Sequence, residues 1–267
     1  MLALLTTVLP TAAILATAQQ EDAMIVAHRG ASRDALENSI AAFELAWQQG
    51  ADAIEGDFLM TKDGHIVCFH DRDTKRLTGI EQVVDQSTLA ELRELDIGRK
   101  RGEVFKGTRI PTLEEVLATI PAGKKIYIEI KCGHEIIPPL LDTLAASGLR
   151  ADQVVVICFK ESILRALKAK APEYAVSWLC SFKKEESGEI PPTLDHVLAT
   201  LERIKANGLS SDMRIPQAVV ETVREHGYAW HVWTVNDVAQ AKRAQQLGAA
   251  SITTDIPNVI REGLEAL

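Results

Sequence analysis

Polar residues break off apolar runs at four places in this chain, and their types are those that handle protons, cations and phosphates. Met24-Ile25-Val26-Ala27 leads into His28-Arg29-Gly30, and Ala53-Ile54 into Glu55-Gly56-Asp57. Cys68-Phe69 leads into His70-Asp71, and Ile126-Tyr127-Ile128 into Glu129-Ile130-Lys131. Side chains two apart on a strand share a face, so Glu55 and Asp57 point one way, as do Glu129 and Lys131. Carboxylates gathered from adjacent strands repel one another unless they take up protons or share a cation. Glu55, Asp57 and Glu129 form a hard oxygen donor set without cysteine. It suits one divalent cation, Mg²⁺ or Ca²⁺ with Mn²⁺ as a further candidate, better than zinc. The plainer alternative is a set of ion pairs, with Glu129 bridged to Lys131.

An imidazole takes and gives protons near neutral pH, so His28 and His70 together offer a general acid and a general base. Arg29 presents a planar fork that matches phosphate oxygens, and Lys131 a point charge. These groups suit an ester whose transition state places charge on phosphate oxygens.

Positioning them requires strands. From Met24 onward, short apolar runs alternate with longer segments whose apolar residues fall three and four apart. The runs predict strands over Met24–His28, Ala53–Asp57, Lys125–Lys131, Val154–Phe159, Ala175–Cys180, Gly208–Ser211, Trp230–Val235 and Ser251–Thr254. Helices are expected, among others, over Ile40–Gln49, Leu113–Ile120, Ile163–Lys170, Ile215–His226 and Val238–Leu247. Eight strands in this alternation predict an α/β fold of the (β/α)8 TIM barrel type, ahead of an open doubly wound sheet. Catalytic groups of such barrels collect at the C-terminal strand ends, where these polar residues fall. The Asp63-Gly64 turn signal predicts a hairpin after the second strand, which returns His70-Asp71 to the barrel mouth. Residues 72–107 then form a small insertion, charged and rich in turns. No linker divides the chain, and residues 24–267 read as one domain.

The 267 residues carry a net charge of −8 and no Lys/Arg-rich block, which argues against a nucleic-acid partner and leaves a small anionic substrate open. The first 20 residues have no charged side chain, and Ala16-Thr17-Ala18 has the small-x-small form of a cleavage site. Residues 1–20 therefore read as a signal peptide and the protein as exported, periplasmic or secreted. A misassigned start codon would make it cytoplasmic instead. Pro10 and several threonines argue against a membrane anchor. Cys68, Cys132, Cys158 and Cys180 form no C-x-x-C pair and lie in or beside apolar runs, as packed thiols do.

The ordered set of motifs resembles the glycerophosphodiester phosphodiesterase family. It comprises His28-Arg29-Gly30, Glu37-Asn38-Ser39, Glu55-Gly56-Asp57, Asp63-Gly64 with His70-Asp71, Glu129-Ile130-Lys131, Trp233-Thr234-Val235-Asn236 and Thr253-Thr254-Asp255-Ile256-Pro257. The resemblance implies a divalent cation on Glu55, Asp57 and Glu129, with His28 and His70 as the acid/base pair. It places Arg29 and Lys131 on the phosphate, and Glu37 and Asn38 along the pocket. The implied reaction is hydrolysis of a glycerophosphodiester to glycerol 3-phosphate and an alcohol. A substrate hydroxyl attacks first, and water opens the cyclic intermediate. Ser39 stands where relatives often carry Thr, and Gly56 is smaller than usual. By residue type alone, Ser39 is a helix N-cap and Trp233 a core residue, whereas the resemblance makes Trp233 an apolar wall for glycerol carbons. Two other functions compete. A phospholipase-like relative acting on lipid or lysolipid diesters would want an apolar rim, whereas residues 72–107 are mostly charged. A catalytically silent binding barrel would have lost a ligand or a histidine, and here all are present.

Overall fold

Among the described residues the apolar runs form nine strands: β1 (Met24–His28), β2 (Ala53–Met60), β3 (Ile66–Cys68), β4 (Lys125–Ile130), β5 (Val154–Cys158), β6 (Ala175–Cys180), β7 (Gly208–Ser211), β8 (Ala229–Val232) and β9 (Ser251–Thr254). They are seen in a computed structural model that describes residues 22–188 and 190–266. The signal-peptide expectation for residues 1–20 lies outside the described residues. Among the described residues, no helix is long and apolar enough to cross a membrane.

The sheet runs β1-β9-β8-β7-β6-β5-β4-β2-β3, and β1 also pairs with β2, so eight parallel strands close on themselves. Helices between the strands complete the (β/α)8 barrel. Strand β3 stands outside the ring, antiparallel to β2 with Phe58 opposite Cys68, which is the expected hairpin. Alternate residues of each strand face opposite ways and both faces are covered, which is why the runs are continuously apolar. Ile25, Ile54, Ile126, Ile128 and Val156 pack outward against helices in the main core. Val26, Ala53, Tyr127, Val155, Ile157 and Leu179 form a smaller core inside the ring. Each fully buried side chain of this size contributes about 1.5–3 kcal/mol.

Local signals fix several helices. Ser39 accepts the Ala42 N–H at the start of helix Ile40–Gln48. Thr112 and Glu115 close a capping box on Leu113–Leu117. Helix Ile137–Ala146 carries two prolines, Pro138 and Pro139, in its first turn, where no N–H is required. The insertion is more ordered than its charge implies. Its helices Lys75–Thr78 and Leu89–Arg93 fold over a second core that includes Leu36, Leu59, Phe69, Val84, Leu92, Ile97 and Ile110. Strand β8 ends at Val232, so Trp233 begins the following loop rather than lying within the strand.

Candidate active site

Strand register assembles the acidic cluster. His28 lies opposite Glu55 across β1 and β2, and Asp57 opposite Glu129 across β2 and β4. One carboxylate oxygen from each of Glu55, Asp57 and Glu129 lies within 4.8 Å of the others. Glu55 is 2% exposed and Asp57 0%. Glu55 Oε2 accepts the Arg29 N–H at 2.9 Å, while its buried Oε1 has no hydrogen-bond partner. Asp57 Oδ2 accepts from Asn38 Nδ2 at 2.9 Å and pairs with Arg29 Nε at 3.0 Å. Its buried Oδ1 has no hydrogen bond, and the Lys131 ammonium stands 3.5 Å away. Two buried oxygens without donors, Glu55 Oε1 and Asp57 Oδ1, with a Glu129 carboxylate oxygen within reach, are what a hard divalent cation takes as ligands.

The loop after β1 is shaped for this contact. Arg29 and Asn38 adopt positive φ, 56° and 54°, uncommon for residues with a Cβ. The Asn38 N–H donates to the Arg29 carbonyl at 3.0 Å, which ties the two bends together. Gly30, between them and helix Ile40–Gln48, has no room for a side chain: a Cβ there would lie 2.6 Å from the Ala42 backbone. Strain of this kind persists where surrounding contacts fix it, commonly at functional sites. The small Gly56 has a similar cause, since a Cβ there would meet Cys68 Sγ at 3.1 Å.

Both imidazoles are held by carboxylates. His28 Nδ1 lies 2.7 Å from Asp255 Oδ1, and His70 Nδ1 lies 2.7 Å from Asp71 Oδ1. Such pairing turns Nε2 of each ring toward other work. Ser32 and Asn236 also donate to Asp255. From the insertion, Arg76 grips both Asp71 and Glu37, and Glu37 meets Arg29 at 3.2 Å. Lys131 donates to Glu129 Oε1 at 3.0 Å.

A cavity of about 210 Å³ opens at this end of the barrel. Its lining includes the polar His28, Arg29, Glu55, His70, Glu129 and Lys131 and the apolar Ile157, Phe159, Leu179 and Trp233. The Phe159 and Trp233 rings meet edge to face at 5.7 Å. Trp230, by contrast, is fully buried in the core, and its indole N–H donates to Ser211 Oγ.

Charge in the cluster is unbalanced. Burial, and then Asp57, push the Glu55 carboxyl up to about 8, and burial and Asp57 also raise Glu129. Burial opposes charge on Asp57 too, but Arg29 and Lys131 outweigh it and lower its pKa. Burial likewise disfavours charge on His28, yet the Asp255 hydrogen bond and Glu55 raise its pKa. Asp255 goes down to about 2, because His28, Asn236 and Ser32 overcome its burial.

One consequence is measurable without substrate. The Glu55 carboxyl titrates higher in the folded chain than its ordinary 4.5, so folding takes up a proton between that value and about 8. Its contribution to stability is complete below that window and shrinks as pH rises through it. Metal-stripped protein should lose thermal stability from pH 5 to pH 8, by at most about 1.4 kcal/mol per pH unit from this group. Divalent cation should raise the melting temperature more at pH 8, where less of the Glu55 carboxyl has a proton to lose, than at pH 5. A flat profile, with equal metal increments at both ends, would contradict the charge balance.

Every residue singled out from the sequence as a site candidate reaches this region. His28, His70, Arg29, Lys131, Glu55, Glu129 and Trp233 line the cavity, and Asp57, Glu37 and Asn38 support it from behind. Sequence reasoning gave no role to Asp255, Phe159 or Arg76. Asp255 had a signal, as the first polar residue after the last strand.

Comparison with known proteins agrees with this geometry. The sequence profile of the glycerophosphoryl diester phosphodiesterase family matches residues 28–259. The chain is 35% identical over 250 residues to a glycerophosphodiester phosphodiesterase of Caldanaerobacter subterraneus subsp. tengcongensis, covering 90% of this chain and 98% of the relative. It is 28% identical to a human lysophospholipase D, covering 90% and 85%. Its fold superposes with a TM-score of 0.81 on an Oleispira antarctica phosphodiesterase solved with its product sn-glycerol 3-phosphate, at 27% identity over 92% of this chain and 98% of that one.

Proposed function

Since the chain belongs to the glycerophosphoryl diester phosphodiesterase family, we propose that it hydrolyses glycerophosphodiesters to glycerol 3-phosphate and an alcohol, with one divalent cation on Glu55, Asp57 and Glu129. The observation that carries this reading is the charge of the cluster. Glu37 is paired with Arg76, so the three carboxylates, when all are ionised, exceed the fixed charges of Arg29 and Lys131 by one negative charge, and without a cation Glu55 relieves that excess by holding a proton. A divalent cation turns that excess into one positive charge, which matches the single negative charge of a phosphodiester. Mg²⁺, Ca²⁺ and Mn²⁺ all favour such oxygen donors.

Bound there, the cation would polarise a phosphoryl oxygen and offset charge that develops in the transition state. The protein's own groups do the rest. Arg29 and Lys131 draw the phosphate against the acidic wall. Phe159 and Trp233 cover the glycerol carbons and exclude water from them. His28, which lines the cavity with Asp255 behind it, accepts the proton of the glycerol 2-hydroxyl. That oxygen bonds to phosphorus as the bond to the alcohol oxygen breaks, and His70 gives the departing oxygen a proton. In the second half water attacks the cyclic phosphate, His70 takes its proton and His28 returns one to the 2-oxygen. The histidines thus end as they began.

The test is direct. Purified protein with Mg²⁺, Ca²⁺ or Mn²⁺ is given glycerophosphoglycerol and glycerophosphocholine, and glycerol 3-phosphate is followed. Release of glycerol 3-phosphate with each turnover is expected. Absence of turnover with every metal, or release of glycerol with a phosphorylated head group, would overturn the reading.

A further inference from the structure

A second cavity, of about 690 Å³, adjoins the first. His70 and Lys131 line both, so the two meet at that pair. A phosphodiester carries two arms on one phosphorus. With glycerol in the first cavity, the other arm must leave past the group that protonates it, and His70 opens onto the second cavity.

The walls of this cavity differ from those of the first. Lys62 from the hairpin, Arg72 from the start of the insertion and Lys160 after β5 join Lys131 there. Asp85 and Glu135 are the anions, so cations outnumber anions in a chain whose net charge is −8. Glu135 is turned back onto the Gly133 N–H at 2.8 Å. The Lys160 ammonium reaches the Cys132 carbonyl at 3.4 Å. Among the described residues, no carboxylate forms an ion pair with Lys62, Arg72 or Lys160. Elsewhere on this acidic chain cations are commonly paired, as Arg76, Arg93, Arg150 and Arg203 are. Cations without an ion-pair partner around a concave mouth, as Lys62, Arg72 and Lys160 are here, attract a mobile anion and repel a cation.

We propose that the second cavity receives the alcohol head group and selects head groups bearing negative charge, such as a further phosphate, over a quaternary ammonium. This rests on the phosphodiesterase reading of the neighbouring site.

The experiment compares kcat/KM for three glycerophosphodiesters whose head groups are glycerol phosphate, glycerol and choline: anionic, neutral and cationic. The anionic diester should exceed the choline diester by about tenfold or more at low salt, and the ratio should shrink as salt screens the field. In the double variant R72E/K160E that ratio should fall by about tenfold, roughly threefold for each exposed charge altered. Should charge reversal impair folding, R72Q/K160Q gives the same test with a smaller fall. A wild-type ratio near one, a preference for choline, or a ratio unchanged in folded variants overturns the proposal, while turnover of the neutral diester keeps the phosphodiesterase reading intact. Failure on all three diesters would overturn both.

Discussion

Replacing His28 or His70 by alanine is expected to lower kcat by about 10²–10⁴-fold with little change in melting temperature. Both imidazoles sit at the barrel mouth, with side chains 21% and 31% exposed, so their loss leaves no large void. Their carboxylate partners keep other donors, Ser32 and Asn236 for Asp255 and Arg76 for Asp71. The two rings act on one reaction coordinate, so the double variant should lose far less than the product of the single losses. Their roles separate by leaving group. A nitrophenyl diester leaves without a proton and should restore much of the first-step rate to His70→Ala, but not to His28→Ala. Asp255→Asn should fall between, at about 10–100-fold, since it removes an orienting partner and not the ring. Activity within tenfold of wild type in either alanine variant would remove the acid/base assignment.

The acidic cluster should give losses at least as large, and opposite effects on stability. Loss of the cation removes several kcal/mol of transition-state stabilisation, so Glu55→Gln, Asp57→Asn and Glu129→Gln should each cost about 10³-fold or more in kcat/KM. Glu55→Gln replaces a carboxyl that burial and Asp57 already hold near its neutral form, up to about 8. In metal-free buffer near pH 8 this variant should melt no lower than wild type. Asp57→Asn leaves Arg29 and Lys131 facing an amide in a buried site, and should cost about 3 kcal/mol at the upper end. Thermal melts of the two metal-free variants, side by side, check this contrast. Equal destabilisation by both would mean that charge does not govern the cluster.

Much of this site follows from strand alternation. Two-residue spacing put Glu55 with Asp57 and Glu129 with Lys131, and a barrel of eight parallel strands had to set the first strand beside the second. What stayed hidden depends on distance along the chain or on packing. Asp255 meets His28 across 227 residues, and Arg76 reaches Glu37 across 39, contacts that no local pattern encodes. Phe159 is 47% exposed at a strand end, where an aromatic residue alone says little. The insertion read as charged because its apolar residues are scattered; only folding gathers Val84, Leu92 and Ile97 into a core. Trp233 could be a pocket wall or a core residue until the end of β8 at Val232 left it on the loop that lines the cavity.

The central proposal is one cation shared by acidic side chains from β2 and β4. Titrating metal-stripped protein with Mn²⁺ and following free ion by electron paramagnetic resonance tests this without any turnover. Wild type should take up one Mn²⁺ per chain, and Glu55→Gln and Glu129→Gln should bind at least about tenfold more weakly. Should wild type leave the Mn²⁺ signal undiminished, or both glutamine variants bind as tightly as wild type, the cluster is an ion-pair network and the account is wrong.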